Sequence, residues 1–237
     1  MTGFRSFINL LLCFTLFIQL VDAQQPDYRS LFSADWNKAE QFLQENDKWI
    51  RESLIKYDIP YKEAIAVVFP ELVRYSALRD KMETGVLKAL YVNLGQDYAN
   101  FSIGQFQIKP SFAEKIRETA VPVLGKTGRE LFGRRQPSDR DLRSLIVGEL
   151  EIPQKEFSYL IAFYLICKKR FPDLPEQAEE RIRFLASAYN TGFWKTREEI
   201  TIMADRRYYS TKLFSDEHYS YSDIAVYWFR SHPSIQK

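Results

Sequence analysis

The sequence predicts an all-α fold, with an α-rich α+β arrangement as the alternative, and three observations lead there. Apolar residues recur at three- and four-residue spacing through most of the chain. Strict strand-like alternation is scarce. Prolines and glycines fall where helices would begin and end. Aromatic residues make up 15% of the 237-residue chain, enough large rings to build one core without a disulfide framework.

The elements follow in chain order. Residues 1–23 stand apart: Arg5 supplies a positive charge, Phe7 to Leu20 is nearly unbroken apolar sequence, and Val21-Asp22-Ala23 presents small residues after it. This is the pattern of a signal peptide cleaved near Ala23; the run is short for a membrane span and no stop-transfer charges follow it. It predicts an exported protein, periplasmic or secreted, that meets the membrane only through this leader. Residues 24–58 predict an amphipathic helical extension. There Trp36, Ala39, Phe42, Leu43, Trp49, Ile50 and Leu54 share one face, and Ser33 or Asp35 is the cap.

Residues 59–237 predict the main domain. Pro60 suits the first turn of a helix that runs into Ala64-Ile-Ala-Val-Val-Phe69, apolar all round and therefore expected at the centre. Pro70 should end or kink that helix, leaving Glu71 at a buried terminus. Met82 to Leu94 predicts another helix, stopped near Gly95. Asn100 to Phe112, "NFSIGQFQIKPSF", is an irregular link, and Ser111-Phe-Ala-Glu114 has the form of a capping box opening the helix through Arg117. Residues 125–137, rich in glycine and arginine, predict an exposed loop. Further helices fit 139–149, 154–170, 175–189 and a last one around 223–229.

Composition and spacing exclude several functions. The formal net charge is +2, which does not describe a polybasic nucleic-acid binder. Without the leader Cys167 is the remaining cysteine. It lies in Tyr159-Leu-Ile-Ala-Phe-Tyr-Leu-Ile-Cys167, apolar on every face, as a buried core thiol. His218 and His232 have no metal-ligand spacing, and neither a phosphate-binding loop nor a Gly-x-Ser-x-Gly elbow occurs, so no cofactor or metal is expected. The C-terminal aromatics Tyr208, Tyr209, Tyr219, Tyr221, Tyr227 and Trp228 read mostly as core.

Three short elements carry chemistry. Glu71 directly follows a buried helix, and desolvation there should raise its carboxyl pKa, as a general acid for glycoside cleavage requires. The plainer alternative is an ion pair with Arg74 or Arg79. In Gly104-Gln-Phe-Gln-Ile-Lys-Pro110, Gly104 would let backbone approach a sugar chain closely, and Gln107 offers both a donor and an acceptor. In Ala186-Ser-Ala-Tyr-Asn-Thr-Gly192, Gly192 reads as a C-terminal helix cap, with Tyr189 and Asn190 facing outward at the helix end before it.

Taken in order, these elements resemble the lysozyme-like soluble lytic transglycosylases and goose-type lysozymes. Gly104, Gln107, Ile108 and Pro110 match the family's Gly-Leu-Met-Gln-Ile-x-Pro signature, while Gln105 and Phe106 replace Leu and Met. Ala188-Tyr189-Asn190-Thr191-Gly192 matches its Ala-Tyr-Asn-x-Gly motif. The resemblance spans residues 71–192, about half the chain. It implies a lysozyme-like helical domain that cleaves the β-1,4 bond between N-acetylmuramic acid and N-acetylglucosamine in peptidoglycan. One glutamate would serve as acid and then base, leaving 1,6-anhydromuramic ends. Glu71 is the expected acid; Gly104, Gln105, Gln107, Ile108, Tyr189 and Asn190 are the expected substrate-binding residues.

The chain also departs from the family. Leu72 stands where serine commonly follows the glutamate, and the gap from Glu71 to Gly104 is long. Glu83-Thr-Gly85 imitates Glu-Ser-Gly, which makes Glu83 the alternative acid. Asp97 is the candidate second carboxylate if the enzyme is instead a hydrolase. These departures leave a third reading, a non-catalytic glycan-binding or envelope scaffold protein.

Overall fold

A computed structural model describes residues 26–78, 84–133, 139–211 and 217–232. The leader at 1–23 and the alternative acid Glu83 lie outside these residues. The fold is all-α: among the described residues ten helices accompany one small two-stranded hairpin. The described residues up to Leu31 fall in one compact unit and those from Phe32 onward in another. In the first, the Asp27 carboxylate accepts from the Ser30 backbone N–H at 3.3 Å and from its hydroxyl at 2.5 Å.

The first helix, α1 (Tyr28–Ile55), breaks at Ser33, whose φ of 42° and ψ of −106° leave helical geometry. The regular helix therefore starts after Ser33, one of the two positions marked by sequence. Its predicted face is the buried one: Trp36, Ala39, Leu43, Ile50 and Leu54 are all at most 5% exposed. That face belongs to the same compact unit as the main domain. Trp36 meets Phe69 edge-on at 4.6 Å, and Trp49 meets Phe157 at 5.4 Å.

Helix α2 (Tyr61–Leu78) is the centre, with every residue from Ala64 to Phe69 fully buried. Each large apolar side chain removed from water there contributes roughly 1.5–3 kcal/mol. The helix does not end at Pro70 but continues through it, so Glu71 lies inside the helix and not at the expected terminus. Proline removes the N–H that would bond the Ala66 carbonyl, and two buried tyrosines bond other carbonyls of the same stretch. Tyr221 donates its hydroxyl to the Val67 carbonyl at 3.1 Å, and Tyr209 donates to the Pro70 carbonyl at 2.6 Å.

Helix α3 (Thr84–Leu94) precedes a turn at Gln96–Tyr98. Helix α4 (Pro110–Leu124) then starts without the expected capping box. The Ser111 hydroxyl donates to Asn100 instead, and Glu114 accepts from the Tyr91 hydroxyl. Pro110 itself occupies the first turn, where a missing N–H costs little. The expected loop at 125–137 contains a helix, α5 (Lys126–Phe132), while 134–138 lie outside the described residues. Helices α6 (Asp139–Leu150), α7 (Pro153–Arg170) and α8 (Ala178–Thr191) follow close to their predicted bounds.

Two elements were not expected: α9 (Arg197–Ala204), and the hairpin of β1 (Arg207–Tyr209) with β2 (Tyr219–Ser220). Helix α10 (Tyr221–Ser231) closes the core against α2 and α8, and Trp228 stacks on Phe69 at 5.2 Å. Tyr209, Tyr221 and Trp228 are core, whereas Tyr208 is exposed. Cys167 is fully buried as a free thiol, and burial raises its pKa. No described helix is long and apolar enough to cross a membrane.

Candidate functional site

The link before α4 is a tight hairpin rather than irregular chain. Ile103 and Ile108 exchange both backbone hydrogen bonds, at 3.0 and 3.1 Å, leaving Gly104 to Gln107 as the turn. Both ends of that turn are left-handed, with φ of 77° at Gly104 and 52° at Gln107. Such a turn presents alternate residues to opposite sides. Phe106 is fully buried against Phe42 and Phe157, while Gln107 lines a cleft.

That cleft encloses about 230 Å³ and collects residues from all three sequence motifs. Helix α2 supplies Glu71 and Arg74. The hairpin and the residues flanking it supply Asn100, Ser102, Gln107, Ile108 and Lys109, and the start of α4 supplies Ser111 and Phe112. The end of α8 and the loop beyond it supply Tyr189, Asn190, Gly192 and Trp194. Glu71 is the one carboxylate among the described lining residues.

Glu71 is 4% exposed. Its two oxygens accept from Arg74 Nη1 at 2.8 and 2.9 Å, so the ion pair weighed as the plainer alternative is present. The Arg74 guanidinium lies 4.5 Å over the Tyr209 ring. Burial still raises the Glu71 pKa; Arg74 and, more weakly, Lys109 pull it down without cancelling the desolvation.

Several expected site residues are placed otherwise. Gly104 serves an internal contact: a side chain there would come within 2.2 Å of the Leu150 carbonyl and 2.5 Å of the Glu156 carboxyl. Gln105 does not line the cleft. Asp97 is exposed in the turn after Gly95 and does not line it either. Tyr189 does not face outward; it is 7% exposed and donates its hydroxyl to the Phe106 carbonyl at 3.0 Å. Asn190, one residue on, is exposed at the rim.

The structure adds a residue that sequence reasoning passed over. Glu156, in the first turn of α7, is fully buried, and its Oε1 accepts the Phe106 backbone N–H at 2.9 Å. Its Oε2 has no hydrogen-bond partner. Burial pushes its pKa well up, partly offset by backbone N–H groups of the hairpin. The nearby charge of Glu71 raises it further. Phe106 is thus held from both sides, its N–H by Glu156 and its carbonyl by Tyr189. The available signal was one acidic residue at the head of a long apolar helix, which alone does not say what it faces.

Among the described residues no three His, Cys, Asp or Glu side chains converge as metal ligands. No protein-family model, curated protein or solved structure matches the chain.

Proposed function

We propose that the protein is an exported peptidoglycan lytic transglycosylase that cleaves the β-1,4 bond between N-acetylmuramic acid and N-acetylglucosamine. The observation carrying this reading is a single cleft carboxylate, Glu71, whose pKa burial raises and which lines the same cleft as Gln107 and Asn190. Glu71 as the acid protonates the glycosidic oxygen as the C1–O bond breaks. Its carboxylate then takes the proton of the muramic acid 6-hydroxyl as that oxygen closes on C1. A 1,6-anhydro end results, and no water is consumed. An inverting hydrolase needs a second carboxylate to hold water across the ring. Asp97 is outside the cleft, which favours the lytic reaction over hydrolysis.

The Arg74 ion pair motivates a second reading, a glycan-binding protein without turnover, because a guanidinium favours the charged carboxylate. Digestion of purified murein followed by mass analysis separates the readings. Wild type should release anhydro-ended fragments, and Glu71→Gln should lower that rate by roughly 10²–10⁴-fold. Glu71→Asp, which keeps a charge for Arg74, controls for misfolding and should also be slow. Fragments heavier by one water would indicate a hydrolase. Binding without release by wild type would establish the non-catalytic reading.

A further inference from the structure

Trp194 is set apart from the other three tryptophans of this chain. Trp36 and Trp228 are at most 4% exposed, and Trp49 is half-buried against Phe157. Trp194 is 41% exposed and lines the Glu71 cleft.

Its exposure is built rather than incidental. Gly192 has φ of 115°, and a side chain there would come within 2.7 Å of the indole benzo ring. The chain therefore forgoes a side chain at 192 so that the ring can fold back against it. Phe193 and Phe112 stand behind, with ring centres 5.3 and 5.9 Å away. Arg170 donates to the Trp194 carbonyl at 3.0 Å, which fixes the backbone as well. The result is a large apolar surface held still at the rim of a polar cleft.

We propose that Trp194 is the platform on which one N-acetylhexosamine ring of the glycan stacks, within the cleft that holds Glu71. This assignment rests on the reading of the cleft as a glycan site. The chemistry matches on both counts. A β-linked pyranose has an apolar C–H face, which an aromatic ring covers, and a polar perimeter. Asn190 and Gln107, lining the same cleft, meet hydroxyl and N-acetyl groups of that perimeter with donors and acceptors.

Calorimetric titration of the full chain with a soluble β-1,4-linked N-acetylglucosamine tetramer tests the platform. Trp194→Ala should weaken binding about tenfold or more, equivalent to about 1.4 kcal/mol. Trp194→Phe keeps a smaller ring and should lose roughly two- to fivefold. Far-UV circular dichroism of both variants should match wild type. The tetramer should also shift the indole emission of wild type, and that shift should disappear in Trp194→Phe. Wild-type affinity in Trp194→Ala would overturn the platform while leaving the glycan reading standing, as expected if the ring serves a protein partner. Absence of binding by wild type to both the tetramer and murein would overturn the glycan reading, and the platform with it.

Discussion

At Phe106 the backbone is gripped twice, and this defines the role of two buried polar side chains. Glu156 takes the N–H and the Tyr189 hydroxyl meets the carbonyl, so Gln107, next in the chain, is delivered to the cleft at a fixed angle. Glu156 thereby acts on the site through the hairpin and is a positioning residue. Glu156→Ala should leave the Phe106 N–H buried and unpaired, costing about 1–3 kcal/mol before any cavity is counted. Glu156→Gln keeps an acceptor at Oε1 and should fold nearly as well as wild type. Urea unfolding of the two variants measures the difference; equal losses would show that the acceptor does not hold the hairpin.

Among the elements, α9 illustrates how a short local signal can outweigh weak periodicity. Thr196 and Glu199 form a reciprocal capping box: the Thr196 hydroxyl accepts from the Glu199 N–H at 3.2 Å, and the Glu199 carboxylate accepts from the Thr196 N–H at 2.8 Å. The pattern Thr-x-x-Glu was legible in the sequence and marks the start of this helix. Ser111-x-x-Glu114 has the same form, yet no box forms, because Tyr91 and Asn100 draw its side chains to tertiary partners. Thr196→Ala should lower stability by about 1 kcal/mol, read from the denaturant midpoint, and leave murein cleavage unchanged. The corresponding change at Ser111 removes no helix cap.

For the whole molecule, two carboxyls placed in the core impose a pH dependence. Burial raises the pKa of both Glu71 and Glu156 in the folded state. The fold therefore binds these protons more tightly than the unfolded chain does. Their contribution to stability is fully present below the unfolded value of about 4.3 and is lost as pH rises through the folded values. Unfolding free energies measured across that window should show wild type losing stability relative to Glu156→Gln as pH rises. A constant difference between the two proteins would mean that Glu156 holds no extra proton when folded.

The sequence by itself determined the all-α class, the buried face of α1, the central place of Ala64–Phe69, the core thiol Cys167 and most helix bounds. These follow from periodicity and local stop signals, which act within one element. It also marked Glu71, Gln107, Ile108, Tyr189 and Asn190, which the fold gathers around one cleft. Only the tertiary structure decided that the α2 helix runs through Pro70, where tyrosines from residues 209 and 221 bond the Pro70 and Val67 carbonyls. Only there does Gly104 prove to be shaped by Leu150 and Glu156, and Gly192 by the ring of Trp194. A glycine in a sequence announces missing bulk; what fills the space is decided by segments that folding brings from far along the chain.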